Sequence, residues 1–196
     1  MSTIAKHRLE ALSDGIYAIA LTLLVLELKL PVLPHGASDA EVRAGLLQLL
    51  PKGFAWLLSF WVIAMFWLAQ QRLFRVCHVL DGNMVRLELL QLCLISLFPF
   101  SSALLGEFGG RVMPAAVYSG HLLAIALVSW GRTLYFSRHP ELHTADMSPE
   151  LTKVSLRRGG LVATCALGSL LLAFVIPALN MLAMLPTVFL SRMGKV

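Results

Sequence analysis

A chain of 196 residues is long enough for one soluble domain, but 58% hydrophobic and 14% charged residues, with a mean hydropathy of +0.77, exceed what one core of that size hides. Lipid is therefore the expected solvent. The net charge of +5 does not indicate nucleic acid, because the basic residues lie between apolar runs rather than in one patch, the spacing of a membrane-topology signal.

The first apolar segment is predicted over residues 12–30, ended by Pro31 and Pro34 and close to the ~20 residues a span needs. A polar knot of Arg8, Glu10, Ser13 and Asp14 leads into it without a turn residue. Ionisable groups at the mouth of a spanning helix are expensive and mark function, although Ser13 and Asp14 also suit a helix cap. On a 100° wheel Ile19, Leu23 and Leu26 stack as a narrow bulky stripe that Leu30 extends. Ala11, Gly15, Ala18 and Thr22 form a second stripe, small enough for another helix to approach. The bulky stripe is read as facing a pore and the small one a neighbour; plain helix packing is the alternative. Glu27 reads equally as a cation-concentrating carboxylate of an outer vestibule or as a surface group near Lys29.

A polar connection from Val32 to Pro51 follows, with a short surface helix expected over Ala40 to Leu50. The second segment, 54–74, is rich in aromatics and ends in Gln70-Gln71-Arg72; Trp56, Trp61 and Trp67 suit packing and interface anchoring. The third, 87–105, carries Pro99 as an expected kink. The fourth is 114–136, the fifth 159–176 after a polar loop, and the sixth 178–191, short and interrupted by Pro186. Gly109-Gly110 and Gly159-Gly160 read as turn or helix-start material. Six crossings with both ends inside put Lys29, Arg43, Lys52 and Arg111 outside and the other twelve of the 16 basic residues inside, as the positive-inside rule asks. Five crossings would move Arg192 and Lys195 outside. The expectation is thus an all-α polytopic membrane protein, one six-helix domain over residues 1–196. Its first apolar run is long and lacks the cleavage site of a signal peptide.

The sequence Arg8-x-x-x-Leu12-Ser13-Asp14 followed by Ala18-Ile19 resembles the first-helix signature, Arg-x-x-x-Phe-Ser-Asp, of the endosomal and lysosomal potassium channel family, transmembrane protein 175, and its bacterial members. Leu12 replaces the usual Phe. Ser59-Phe60-Trp61 to Phe66-Trp67, and Leu97-Phe98-Pro99-Phe100 to Ala103-Leu104-Leu105-Gly106-Glu107, resemble the family's second and third helices. The resemblance implies a homotetramer whose first helices line a potassium path, with Ile19 at a hydrophobic constriction and Thr22 a hydroxyl one turn on. It also implies a polar network of Arg8, Ser13 and Asp14 that seats the first helix against the second and third. The family has a His near the inner end of the second helix; Gln70 and Gln71 stand there, able to hydrogen-bond but not to titrate, which counts against pH sensing through that site.

Other chemistries find little support. The six histidines are scattered; His139 and His143 are i, i+4 but straddle Pro140, poor metal spacing. His121, within the fourth segment, suits a satisfied buried imidazole better than a proton relay. Cys77, Cys93 and Cys165 have neither disulfide nor metal spacing. No cofactor, fixed metal or nucleic-acid partner is expected, and no catalytic set is visible. No Thr-Val-Gly-Tyr-Gly loop exists, so a classical carbonyl filter is excluded; the hydrophobic constriction that the resemblance implies would gate by dewetting. The reading is a potassium channel of the cell (plasma) membrane, multi-pass, with cytoplasmic termini. The alternative, a secondary transporter or small-molecule carrier, lacks an internal repeat and paired broken helices.

Overall fold

The computed structural model describes residues 6–184 together with 186 and 187, and every regular element among them is helical. α1 (Lys6–Leu23) begins before its apolar run, because residues 6–11 contain neither Gly nor Pro and Lys6 pairs with Glu10 one turn on at 3.5 Å. Ser13 and Asp14 are therefore mid-helix, and the capping reading is corrected. The expected end at residue 30 is also too late. α1 tightens into a 3₁₀ turn over Leu24–Glu27 and regular structure stops there, since Pro31 and Pro34 disfavour helical backbone in the residues before them.

α2 (Asp39–Gln48) matches the expected surface helix and is opened by a capping box. Ser38 Oγ accepts from the Glu41 backbone at 3.4 Å while the Glu41 carboxylate accepts from the Ser38 amide at 2.7 Å. α3 (Leu50–Arg75) starts with Pro51 in its first turn. α4 (Gly82–Glu107) is capped by Asp81, whose Oδ1 accepts from Met84 N at 2.8 Å, and runs through Pro99 as one helix. α5 covers Val112–Ser137, and α6 (Pro149–Val175) is capped by Ser148. α1 with its 3₁₀ turn, α3, α4, α5 and α6 are each long and apolar enough to cross a membrane.

Beyond α6, Pro177–Met184 is 3₁₀ rather than α-helical and folds back on α5 and α6. Asn180 fixes it there: its Nδ2 donates to Ser119 Oγ at 2.8 Å, and Ser119 bonds Ser169 of α6 at 2.9 Å. Apart from 186 and 187, the rest of the expected sixth segment, 178–191, lies outside the described residues.

Contacts run from α1 to α4, α4 to α5 and α5 to α6, with α3 against α1 and α4. The main core is Ile63 of α3, Ile95 and Phe98 of α4, Tyr118, Leu122 and Ile125 of α5, and Tyr17, Ala20 and Leu24 from the first span. A smaller core at one end joins Leu9, Phe74, Cys77, Leu80, Met84 and Phe136. There the α3–α4 and α5–α6 loops pair through a Cys77–His143 bridge, and Lys6 Nζ donates to the Cys77 carbonyl at 2.7 Å, tying the start of α1 to both. Burial pushes the Cys77 thiol up, so it stays protonated.

Candidate functional site

α1 has two chemically different sides. Leu9, Ser13, Tyr17, Ala20 and, in the 3₁₀ turn, Leu24 follow steps of four, four, three and four and are buried against the bundle. On the opposite side both stripes lie open: Ile19 is 60% exposed, Leu26 59% and Leu23 41%, with Ala11, Gly15, Ala18 and Thr22 beside them. The Thr22 hydroxyl donates back to the Ala18 and Ile19 carbonyls at 3.0 and 2.9 Å. That uses its one proton inside the helix and leaves its oxygen lone pairs directed outward.

Behind Ser13 lies a polar core within the spanning region. Ser13 Oγ donates to Glu88 Oε1 of α4 at 2.9 Å. Glu88 Oε2 accepts from Arg132 Nη1 of α5, and the same nitrogen reaches Gln70 Oε1 of α3 at 3.3 Å. None of these four side chains is more than 2% exposed. Two charges so far from water are tolerable only because each neutralises the other. Gln91, one turn beyond Glu88 and also buried, faces Tyr17 of α1. The core thus joins four helices at one level and sets the rotation of α1 about its axis.

Asp14 makes a separate lateral clamp. Its Oδ1 accepts from Trp67 Nε1 at 2.9 Å and from Gln71 Nε2 at 2.6 Å, both on α3. Ser13 and Gln70 thus belong to one polar set, and Asp14 and Gln71 to another. Arg8 belongs to neither: it stands exposed, with no ion pair among the described residues, because it lies on the side of α1 turned away from α3 and α4. Trp67 packs against the main core and in addition donates a hydrogen bond. Glu88 and Arg132 were missed altogether, although a lone charge in each of two apolar runs is the signal of an intramembrane pair.

The remaining candidates are quiet. His121 Nε2 bonds the Leu94 carbonyl at 3.0 Å and Nδ1 bonds Ser101 at 2.9 Å, a satisfied imidazole. His139 and His143 each bond a backbone carbonyl, of Tyr135 and Phe136, at 2.8 and 2.7 Å. Glu27 lines a small cleft with Lys52, Trp56 and Glu107, where Lys52 pairs with Glu107.

The profile of the family described as endosomal/lysosomal potassium channel TMEM175 matches residues 8–99, just under half of the chain, a span that contains all but the first two residues of α1, the whole of α3 and the Glu88 half of the polar core. A crystal structure of a lysosomal potassium-selective channel TMEM175 homolog from Chamaesiphon minutus superposes with a TM-score of 0.83 and 27% identity, over 97% of this chain and 98% of that one. In its first half and in its fold the chain is similar to the TMEM175 family. A protein named potassium channel from Chamaesiphon minutus is 40% identical over 126 residues, 62% of this chain and 61% of its own length. Another so named, from a Chryseobacterium species, is 33% identical over 62% of this chain and 60% of its own. Over its whole length the chain resembles a Gallus gallus protein named endosomal/lysosomal proton channel TMEM175, 27% identical over 97% of this chain and 39% of the relative. The sequence alignments thus span about three fifths of the bacterial relatives' length. The relatives that the chain resembles are named as ion channels.

Proposed function

We propose that this protein is a passive potassium channel of the cell membrane, a homotetramer of six-span subunits with cytoplasmic termini, in which four copies of α1 surround the ion path. One observation carries the reading: α1 buries its polar residue Ser13 against its own bundle and leaves Ile19, Leu23 and Leu26 uncovered on the far side. One helix cannot enclose a path, so a symmetric ring is needed to cover that side. In such a ring the small stripe meets the neighbouring α1 and the bulky stripe closes on the axis. Rings of aliphatic side chains gate by dewetting. Thr22 then offers hydroxyl oxygens to a passing cation, and Glu27 draws cations to the mouth. Asp14 and the Glu88–Arg132 core lie behind this surface and hold its angle. Potassium as the favoured ion rests on the bacterial relatives named potassium channels.

Planar-bilayer recording of purified protein tests this. Unitary current steps with reversal potentials that follow potassium are expected; smooth flux without steps would make it a carrier. Native mass spectrometry in mild detergent should give a tetramer, and only monomers or dimers would overturn the central path.

A further inference from the structure

The polar core behind Ser13 is balanced in charge but short of hydrogen-bond partners. The bonds from Arg132 to Glu88 and Gln70 both leave from Nη1, while its Nε is shielded from solvent and has no partner among the described residues. The same holds for Gln70 Nε2, for Oε1 and Nε2 of Gln91 and for the Tyr17 hydroxyl. None of these four side chains is more than 2% exposed. They share one layer of the bundle. Arg132 touches Gln70 and Glu88, Gln91 lies one turn along α4 from Glu88, and Tyr17 lies one turn along α1 from Ser13, which bonds Glu88 at 2.9 Å. α1 and α4 climb from the same end, where Lys6 meets the Cys77 carbonyl just before α4 begins. The turn that carries Tyr17 therefore packs against the turn that carries Gln91.

Buried polar atoms need partners, and what these five offer identifies the partner. Arg132 Nε and the amide nitrogens of Gln70 and Gln91 are donors, Gln91 Oε1 is an acceptor, and the Tyr17 hydroxyl is either. A bare cation would face three donors. An anion would add a charge beside Glu88, which Arg132 already neutralises. A small neutral molecule that both accepts and donates suits every one of them. We infer that this layer is a buried water-binding site, in which ordered water takes hydrogen bonds from Gln70, Arg132 and Gln91 and gives them to Gln91 and Tyr17. A buried water makes two to four hydrogen bonds, so the five atoms call for about two molecules. α1 is then held by a direct bond at Ser13 and through water one turn further on. The site belongs to the fold of one subunit and does not depend on which ion the protein conducts.

Radiolytic footprinting of the full chain tests the assignment, because X-rays split bound water in place and the hydroxyl radicals oxidise adjoining side chains, which mass spectrometry reads. Tyr118 is the control: it is as buried as Tyr17, but its hydroxyl is bonded to Ser59 at 3.1 Å. Tyr17 should be labelled several-fold faster than Tyr118. A membrane-impermeant scavenger, which removes radicals from bulk solvent, should leave that difference intact. Gln91→Leu replaces the amide by an apolar group of similar size and should bring Tyr17 down towards the rate of Tyr118. The wild-type comparison stands even if that variant folds poorly. Equal labelling of the two tyrosines would overturn the site in favour of a direct Tyr17–Gln91 hydrogen bond. Loss of the Tyr17 signal with the scavenger, or an unchanged signal in folded Gln91→Leu protein, would overturn it in favour of transient solvent entry.

Discussion

Ser13 and Asp14 are consecutive in the chain but serve different helices: Ser13 bonds Glu88 of α4 at 2.9 Å inside the core, and Asp14 bonds Trp67 and Gln71 of α3 at 2.9 and 2.6 Å on its flank. The 100° between them on the helix turns one dipeptide into two tethers. α1 is thereby held against both rotation and sideways tilt, the two movements that would take Ile19 off the far side.

Asp14→Ala removes both flank bonds. Interhelical polar contacts in membranes are worth about 0.6–2 kcal/mol, so the variant should lower thermal stability and tetramer yield more than it alters permeability ratios. Asp14→Asn keeps an acceptor oxygen and should fall between. An Asp14→Ala protein with unchanged melting but altered selectivity would instead put Asp14 in the ion path.

Glu88→Gln leaves the Arg132 charge buried and unpaired, a loss of about 3–5 kcal/mol. Glu88→Gln combined with Arg132→Met removes the charge as well and should recover most of it. Size-exclusion profiles after heating read both. Equal damage by the single and double variants would mean that the pair serves more than neutrality.

If Ile19 stands at the proposed constriction, Ile19→Asn should wet it, raise unitary conductance and blunt discrimination among alkali cations. Cysteines at 19, 23 and 26 should react with small water-soluble thiol reagents during conduction, and those at 20 and 24, buried behind them, should not. The background must lack native cysteines, since Cys93 is exposed. Equal reactivity of the two sets would return the bulky stripe to plain packing.

Gly159→Ala is expected to destabilise by about 1–3 kcal/mol, because a methyl there would meet Trp130 Cδ1 at 2.7 Å. Gly160→Ala, with 3.7 Å to the same ring, should be nearly neutral. A thermal-shift comparison separates them.

The spans were legible because length and hydropathy are local properties, and the two sides of α1 because helical periodicity is. Tertiary pairing was not. Glu88 and Arg132 are 44 residues apart, and each alone reads as a topology signal. Trp67 is an anchor or a donor according to how α3 is rotated, which its own sequence does not fix. Gly159 and Gly160 read as a break, yet Ser148 and Pro149 start α6 ten residues earlier. The pair serves instead to admit an indole between two helices.

The change from α to 3₁₀ winding after Leu23 alters the shape of any lining α1 provides. In an α-helix, residues three apart drift by 60°, whereas at three residues per turn they eclipse. Leu26 therefore stands in line above Leu23 rather than swinging aside. At about 1.5 Å per residue to Leu23 and about 2.0 Å beyond it, Ile19 to Leu26 extends about 12 Å along the axis. With water oxygens ~2.8 Å apart, that is room for roughly four water molecules in single file. In the proposed pore a cation stalled there would have to break a column of liquid, not a single contact, and the aliphatic ladder's length would govern the barrier as much as its width.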